Sequence, residues 1–236
     1  MIKMIKIFNS EVLDIKNSGG NVKCLKFSAP DEFDFKSGQF VSLSVPVDEK
    51  KIRRPFSIAS PPKRNFIELC VKIIPGGLAS GFIAKLKKGD AVEFLGPAGR
   101  FVINENSRNK DIIFIAAGTG LAPFMSMIPD LLENKFRGKI ILLKGFRHEE
   151  NILHDGEFSE LRNKYRNFEF HNILSRPENK NFPDKGHVQD FLGKYIPENF
   201  HGDFYICGLK EMIVGVKEKL IELGVSEQRI FYEKYD

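Results

Sequence analysis

Tryptophan is absent from this 236-residue sequence, and cysteine occurs only three times, as Cys24, Cys70 and Cys207. None of the three belongs to a C-x-x-C pair. A thiolate-bound iron–sulfur cluster normally needs four cysteine ligands, so we expect no such cluster in this chain. The spacing does not indicate a disulfide framework either, and we expect Cys24 and Cys70 to be core residues inside strands.

Long apolar runs, a signal peptide and a strong charge bias are also missing. No stretch approaches the roughly 18 apolar residues of a spanning helix, and residues 1–10 lack the apolar run of a signal peptide. The 36 basic and 31 acidic residues leave a net charge of +5, without the basic stripe of a nucleic-acid-binding protein. The five histidines show no metal-ligand spacing. We therefore expect a cytoplasmic protein without a metal site, membrane insertion or a nucleic-acid partner.

The first hundred residues read as short strands separated by proline, glycine, aspartate and asparagine. Apolar residues alternate in several of them, which is typical of half-buried strands. Six short strands with one helical interruption favour a closed antiparallel barrel. The basic groups at 50–54 and 85–88 fit either a solvated surface or a docking face for an acidic partner. The predicted strands are 5–15, 22–28, 39–45, 56–59, 66–73 and 91–95, and the predicted helix is 77–86.

After a polar segment at 104–110, which we predict to be a linker, strands and helices alternate. The continuous apolar run at 112–117 indicates a strand covered on both faces. Strand–helix alternation of this kind predicts a parallel doubly wound sheet. We thus expect a β-barrel domain at 1–104 and a Rossmann-like domain at 111–236. Its predicted strands are 112–117, 139–144, 168–174, 203–206 and 230–233, and its predicted helices are 121–133, 157–165, 188–195 and 212–223.

A glycine-rich turn, Ala116-Ala-Gly118-Thr-Gly120-Leu-Ala-Pro123, follows the first strand of this second half. Its glycines let the backbone approach a pyrophosphate, and the helix N-terminus that follows supplies free N–H groups. Pro123 suits the first helical turn, where its missing N–H costs nothing. The acidic residue expected near the end of the second strand is missing, because Lys144-Gly-Phe-Arg147 stands there. A plain strand–helix turn is the alternative interpretation.

Two motifs in the first half could also serve a ligand. Arg53-Arg54-Pro55-Phe56-Ser57 contains an arginine that can fork onto a phosphate, an aromatic ring that can lie against a flat ring, and a serine that can bond a ring nitrogen. Gly76-Gly77-Leu78-Ala79-Ser80 places small residues at a helix start, where anions bind. A basic edge before a core strand and a simple helix start would explain the same residues without a ligand.

Two further features lie near the end of the chain. Cys207-Gly208 ends the fourth strand of the second half, and ligands of doubly wound sheets bind beyond such strand ends. The tail Phe231-Tyr-Glu233-Lys-Tyr235-Asp236 combines aromatic residues with a carboxylate, a pattern more common in packing than in chemistry.

In their order and spacing these elements resemble the ferredoxin–NADP reductase family of FAD/NAD(P)H oxidoreductases. RPFS followed by IAS resembles its RxYS flavin motif, and GGLAS with the later Gly96-Pro-Ala-Gly99 resembles its second flavin-side block. GTGLAP resembles the nicotinamide-side loop, and Cys207-Gly208 with the YEKY tail matches the end of the family pattern. The resemblance implies a six-stranded antiparallel Greek-key flavin-binding barrel followed by a five-stranded parallel doubly wound nicotinamide-binding domain.

The resemblance also implies roles for individual residues. Arg54 would contact the flavin pyrophosphate, Phe56 would stack on the isoalloxazine, and Ser57 would hydrogen-bond near the flavin N5. Cys207 and Glu233 would flank the nicotinamide ring, so that these two residues and Ser57 orient the reacting groups and are not nucleophiles. The other cofactor-binding residues that it implies are Pro55, Gly76, Gly77, Leu78, Ala79 and Ser80 for the flavin and Gly118, Thr119, Gly120, Pro123, Gly208, Ser175 and Arg176 for the nicotinamide nucleotide.

Three positions qualify this resemblance. Phe56 stands where the family has tyrosine, so stacking is kept and the phenol hydrogen bond is lost. Tyr235 would cover the other face of the flavin, but Asp236 follows it where an aromatic residue often ends the chain. Arg176 with Lys180 would pair with a 2′-phosphate and favour NADPH, or the two are simply exposed charges.

The leading hypothesis is a flavoprotein that takes hydride from NADPH or NADH onto bound FAD, with FMN as the other possible flavin. Hydride transfer needs the nicotinamide C4 and the flavin N5 at near contact, roughly 3–3.5 Å, and the protein positions both carriers. The electrons would pass to a protein such as a ferredoxin, a cytochrome or an oxidoreductase subunit. Two alternatives stay open, a flavin reductase that uses free flavin as substrate and a non-catalytic flavin-binding relay or regulatory subunit.

Overall fold

The structure is a computed structural model that describes residues 5–31 and 33–235. The chain forms two compact units, Met1–Val102 with Ala122–Asp130 and Ile103–Leu121 with Leu131–Asp236. The domain limits 1–104 and 111–236 stay a prediction, and their outermost residues lie outside the described part. Within that part, no helix is both long and apolar enough to cross a bilayer.

The first unit is built on a six-stranded antiparallel barrel, as the sequence predicts. Its strands are β1 (Lys6–Ser18), β2 (Val22–Ser28), β3 (Phe40–Val47), β4 (Lys50–Ser57), β5 (Phe66–Lys72) and β6 (Ala91–Ala98), and its helix is α1 (Leu78–Lys85). They are ordered β4-β3-β6-β1-β2-β5. Just beyond β4, the Ala59 N–H donates to the Glu68 carbonyl of β5 at 2.8 Å, which links the two ends of this order. Phe27 and Phe94, which meet edge to face at 5.1 Å, lie in the barrel core with Leu43 and Ile67.

The position of β4 differs from the predicted strand at 56–59. The strand begins at Lys50 and pairs along its whole length with β3. Its basic residues are exposed, and only Ser57 at its end is buried. Charged side chains are common on strands with an open outer side, because they discourage pairing with another chain. The basic run therefore concealed a strand that the apolar pattern alone could not show.

A disulfide joins Cys24 of β2 to Cys70 of β5. The two residues are direct partners in the antiparallel ladder, and their Cα atoms are 4.2 Å apart. Both are buried, as expected for core residues, but the expectation that they form no disulfide is wrong in this structure. The cysteines are separated by 46 residues, so only the register of β2 on β5 brings them together.

We predict one free thiol per chain, that of Cys207. Alkylation of denatured, unreduced protein should label Cys207 alone, and prior reduction should expose all three cysteines, as counted by peptide mass spectrometry. The control variant Cys70→Ala should label Cys24 and Cys207 with or without reductant. Labelling of all three cysteines in unreduced wild-type protein would show that the disulfide does not form.

The second part of the chain contains a five-stranded parallel sheet of order β11-β10-β7-β8-β9, which confirms the predicted doubly wound pattern. Strand β10 returns to the side of β7 opposite β8, so the strand order reverses between β7 and β10. Ligands of doubly wound sheets bind at the carboxyl ends of the strands beside such a reversal. The strands are β7 (Ile112–Ala117), β8 (Ile140–Phe146), β9 (Phe168–Leu174), β10 (Asp203–Leu209) and β11 (Ile230–Tyr235), and the helices are α2 (Ala122–Glu133), α3 (Asp155–Lys164), α4 (Leu192–Tyr195) and α5 (Lys210–Glu222).

The polar segment at 104–110, predicted to be a linker, is a structured part of the second unit. It forms a short 3-10 turn, and its fully buried Ser107 donates to the Asp203 carboxylate at 2.7 Å. The Ser107 and Tyr205 hydroxyls are 2.9 Å apart, and the Asn104 N–H donates to the same Tyr205 oxygen. A polar run without apolar residues conceals this role, because the partners of Ser107 lie almost a hundred residues further along the chain.

Candidate functional site

The strand ends beside the reversal carry two of the motifs singled out in the sequence. The turn Gly118–Leu121 follows β7, and Cys207 lies in β10 opposite Ala116 of β7. A Cβ atom on Gly120 would lie 2.3 Å from the Cys207 carbonyl oxygen and 2.8 Å from the Gly208 Cα. No side chain fits at that distance, so Gly120 is what lets the two backbones meet.

The glycine turn also presents an open backbone surface. Gly118 has a φ of +55°, in the left-handed region that favours glycine. Among the described residues, nothing lies within 4 Å of the position that its Cβ would occupy. Thr119 is half-buried, and α2 begins at Ala122 with Pro123 in its first turn. Open space before a glycine turn that leads into a helix suits a ligand with an anionic group.

Cys207 and the tail strand complete this group of residues. Cys207 is fully buried, and Glu233 of β11 is its direct neighbour across the sheet. Burial, reinforced by the Glu233 carboxylate, raises the pKa of the Cys207 thiol well above its usual value. The thiol therefore stays neutral and is a poor nucleophile. A smaller, opposing effect on this pKa comes from a hydrogen bond with the Tyr235 side chain.

The RPFS motif occupies the end of β4. Arg54 is exposed, and its guanidinium donates to the Arg53 carbonyl at 3.0 Å. Phe56 is half-buried and packs against the barrel core, so that only part of its ring is open to a ligand. Pro55 is exposed and Ser57 is buried. The strand therefore turns a charged group outward and a hydroxyl inward within four residues.

The GGLAS motif forms the start of α1. Gly77 is the N-cap residue, and its Cβ would lie 2.5 Å from the Ser80 hydroxyl. That hydroxyl accepts the Ile74 N–H at 3.2 Å and lies 3.1 Å from the Ile74 carbonyl, to which it donates. Ser80 is buried and braces the turn from within, and its contact to the flavin pyrophosphate stays a prediction. The residues left at the surface of the turn are Gly76, with a φ of +73°, Gly77, Leu78 and Ala79.

A third group of predicted residues follows β9. The Ser175 N–H donates to the Phe146 carbonyl at 3.0 Å, and the Arg176 N–H donates to the Arg147 carbonyl at 2.8 Å. The pairing of β8 with β9 thus continues past both strand ends. It brings the exposed residues Arg147 and Arg176 side by side, where a standard NAD-binding fold would have an acidic residue. Arg176 was predicted from the sequence as a nucleotide contact, and Arg147 was not.

Lys144, in the same stretch of sequence, was also not recognised. Its ammonium group is fully buried, 2.7 Å from the Asp155 carboxylate and 3.2 Å from the Leu153 carbonyl. It lies over the rings of Phe158 and Phe170 at 4.9 and 4.6 Å. Burial lowers the pKa of Lys144, and the hydrogen bond to Asp155 opposes this shift. The sequence signal for this role was a single lysine within an apolar strand. A lysine buried in this way indicates an ion pair with an acidic residue in the folded protein.

Comparisons with known proteins agree with this division of motifs. A family model for the oxidoreductase FAD-binding domain matches residues 10–103, and a model for the oxidoreductase NAD-binding domain matches residues 114–218. The reductase component of phenol 2-monooxygenase from Pseudomonas sp. (strain CF600) is 37% identical over 221 residues, which cover 91% of this chain and 61% of that protein. NADH-cytochrome b5 reductase 1 of Dictyostelium discoideum is 30% identical over 218 residues, which cover 89% of this chain and 76% of the relative.

A solved structure also has a fold similar to that of this chain. The solved structure of the Amycolatopsis cytochrome P450 reductase GcoB matches with a TM-score of 0.89 and 25% identity, over 98% of this chain and 70% of that one. The chain spans about three fifths of the length of two curated relatives that it matches, 61% of one and 62% of the other.

We predict that Gly120→Ala destabilises the second unit by about 1–3 kcal/mol, because its methyl group collides with backbone atoms that cannot move aside cheaply. Gly156→Ala is the matched control, since a methyl group there meets no described atom within 4 Å and Gly156 lies in helix α3. It should leave stability unchanged or slightly raised. Urea unfolding followed by circular dichroism measures both variants, and equal midpoints would contradict the role given to Gly120.

Proposed function

The chain belongs to the ferredoxin–NADP reductase-like family, and we propose that it is an FAD-dependent NAD(P)H oxidoreductase that passes electrons to a protein acceptor. The observation that carries this proposal is the meeting of Gly120 with Cys207 beside Glu233, at the strand ends where the sheet order reverses. When bound, the flavin supplies the ability to accept a hydride and to release its electrons onward. The chain's own residues bind, orient and shield the two cofactors.

On the nicotinamide side, we propose that the backbone of Gly118, Thr119 and Gly120 binds the pyrophosphate. The open space before Gly118 supports this role. Cys207 and Glu233 would orient the nicotinamide ring, and the thiol of Cys207 would stay neutral beside it because its pKa is raised. Pro123 would shape the start of α2, and Gly208 would shape the end of β10.

On the flavin side, we propose that Arg54 binds the pyrophosphate, because its exposed guanidinium has several donors and, among the described residues, its one hydrogen bond is to the Arg53 carbonyl. The first-turn N–H groups of α1, with Gly76, Gly77, Leu78 and Ala79, would bind the same group, and Ser80 would hold their turn in shape. Phe56 would lie against the isoalloxazine with the open part of its ring. Ser57 would orient the ring edge near N5, and Pro55 would shape the approach.

The adenosine end of the nucleotide would lie at Ser175 and Arg176. The exposed pair Arg147 and Arg176 could bind a 2′-phosphate or the oxygens of an unphosphorylated ribose, so the choice between NADPH and NADH is left to measurement. The role of Tyr235 as a cover for the flavin stays a prediction.

We propose a redox protein as the acceptor, since the phenol 2-monooxygenase relative is a reductase component and the toluate 1,2-dioxygenase relative is an electron transfer component. A ferredoxin, a cytochrome or an oxidoreductase subunit would each serve. The cytoplasmic location expected from the sequence also stays a proposal. The Cys24–Cys70 disulfide weighs against it, because such bonds are more typical of oxidising compartments.

The test is the visible absorbance of the purified protein before and after anaerobic addition of NADPH and, separately, NADH. We expect the bands of bound oxidised flavin, and we expect one of the nucleotides to bleach them faster. A colourless protein that oxidises nucleotide only with added free flavin would instead establish a flavin reductase. A yellow protein that neither nucleotide bleaches would point to a non-catalytic flavin-binding subunit. A colourless, inactive protein would overturn the enzyme proposal.

We predict that Arg54→Ala weakens flavin binding about tenfold or more while leaving the fold intact, because it removes a charged hydrogen-bond donor from the pyrophosphate. Arg53→Ala is the control, since it removes the same charge from the preceding residue of the same exposed strand. Flavin content after gel filtration and titration of the apoprotein with FAD measure the effect. Equal flavin binding by both variants would remove the proposed role of Arg54.

A further inference from the structure

A carboxylate outside all of the motifs connects two loops of the second unit. Glu149 lies in a short 3-10 turn that follows β8. One of its carboxylate oxygens accepts the Glu178 N–H at 2.9 Å, and the other accepts the Asn179 N–H at 3.0 Å. These two hydrogen bonds lower the pKa of Glu149 below its usual value. One charged side chain thus satisfies two successive main-chain donors of a loop about thirty residues away.

The loop that Glu149 holds is the one predicted to read the nucleotide. The 175–179 loop begins at the end of β9, and its first two N–H groups donate to the carbonyls of Phe146 and Arg147. Pro177 has no N–H to donate. Every main-chain donor of the 175–179 loop is therefore bonded to the segment 146–149. Glu149 accepts two of these four hydrogen bonds, those from Glu178 and Asn179. They lie beyond the point where the strand-like pairing ends.

The turn that carries Glu149 is itself braced. The Asn151 side-chain oxygen accepts the His148 N–H at 3.1 Å, and the Asn151 N–H donates to the His148 carbonyl at 3.0 Å. The Ile152 N–H donates to the Glu149 carbonyl at 3.0 Å, which closes the turn. The carboxylate is therefore presented by a preorganised element, as a residue that positions a binding loop requires.

We propose that Glu149 is a positioning residue for the adenosine end of NAD(P)H. It holds the 175–179 loop so that Ser175 and Arg176, beside Arg147, face the ribose and its phosphate. Both oxygens of Glu149 are used by main-chain donors, so the carboxylate acts through the loop and does not contact the nucleotide. The inference rests on the proposed function, since it takes Ser175 and Arg176 as nucleotide contacts.

Glu149→Ala should raise the KM for NAD(P)H about tenfold, with kcat and flavin content close to wild type, because the loss falls on nucleotide binding. Glu149→Gln should show a smaller rise, since its amide oxygen can still accept one of the two hydrogen bonds. Ferricyanide is the acceptor in these assays. Reduced nicotinamide mononucleotide lacks the adenosine end, so its KM should be the same in all variants. Glu150→Ala, which removes the neighbouring exposed charge of the same turn, should match wild type.

A second measurement needs no turnover. Hydrogen exchange of the peptide covering 175–182 and calorimetric binding of 5′-AMP and 2′,5′-ADP are compared in wild type, Glu149→Ala and Glu150→Ala. We expect faster exchange and about tenfold weaker fragment binding in Glu149→Ala alone. Equal behaviour of the two variants, an equal rise in KM for the mononucleotide, or a wild type that binds neither fragment would overturn the role of Glu149. A wild type that binds a fragment tightly but holds no flavin and oxidises no nucleotide would overturn the proposed function and leave the role of Glu149 standing.

Discussion

The close approach of Gly120 to the main chain of Cys207 is the constraint on which the nicotinamide-side site depends. A methyl group at Gly120 would lie 2.3 Å from the Cys207 carbonyl oxygen, so the turn after β7 meets the end of β10 only because this position has no side chain. The approach places an open glycine turn beside a neutral, buried thiol and next to Glu233. Backbone N–H groups, and not side-chain cations, are therefore what this part of the site offers to an anionic ligand.

The charged side chains of the second unit have two different roles. The exposed arginines Arg147 and Arg176 lie beyond the ends of β8 and β9, and the carboxylate of Glu149 is used to fix the loop that carries Arg176. Lys144, two residues before β8 ends, is buried against Asp155 and belongs to the packing of the sheet. Basic residues that are close in sequence thus divide between a structural ion pair and a binding surface. Burial and partner atoms decide which role each one takes.

The sequence pattern predicted most elements because their periodicity reports burial on one or both faces. Strand 168–174 and the helix beginning near 121 follow from apolar runs of the right length, and the observed ranges agree closely. Strand β4 was misplaced because its outer face is charged, and the 104–110 segment was read as a linker because its buried residue, Ser107, is polar. The first error arises from an exposed, charged strand face, and the second from a buried polar residue whose hydrogen-bond partners are distant in sequence. The disulfide between Cys24 and Cys70 is the same kind of case, since ladder register alone brings the two together.

By itself the sequence determined the two-part architecture and the motifs around Arg54, Gly77 and Gly118, because glycine turns, strand periodicity and helix starts are local properties of the chain. Only the tertiary structure decided which of these residues touch. It assigned Ser80 to bracing its own turn, placed Glu233 beside Cys207, and brought Glu149 to the loop after β9. Such contacts depend on strand order and register, which result from packing of the whole chain and leave no signal in a local stretch of residues.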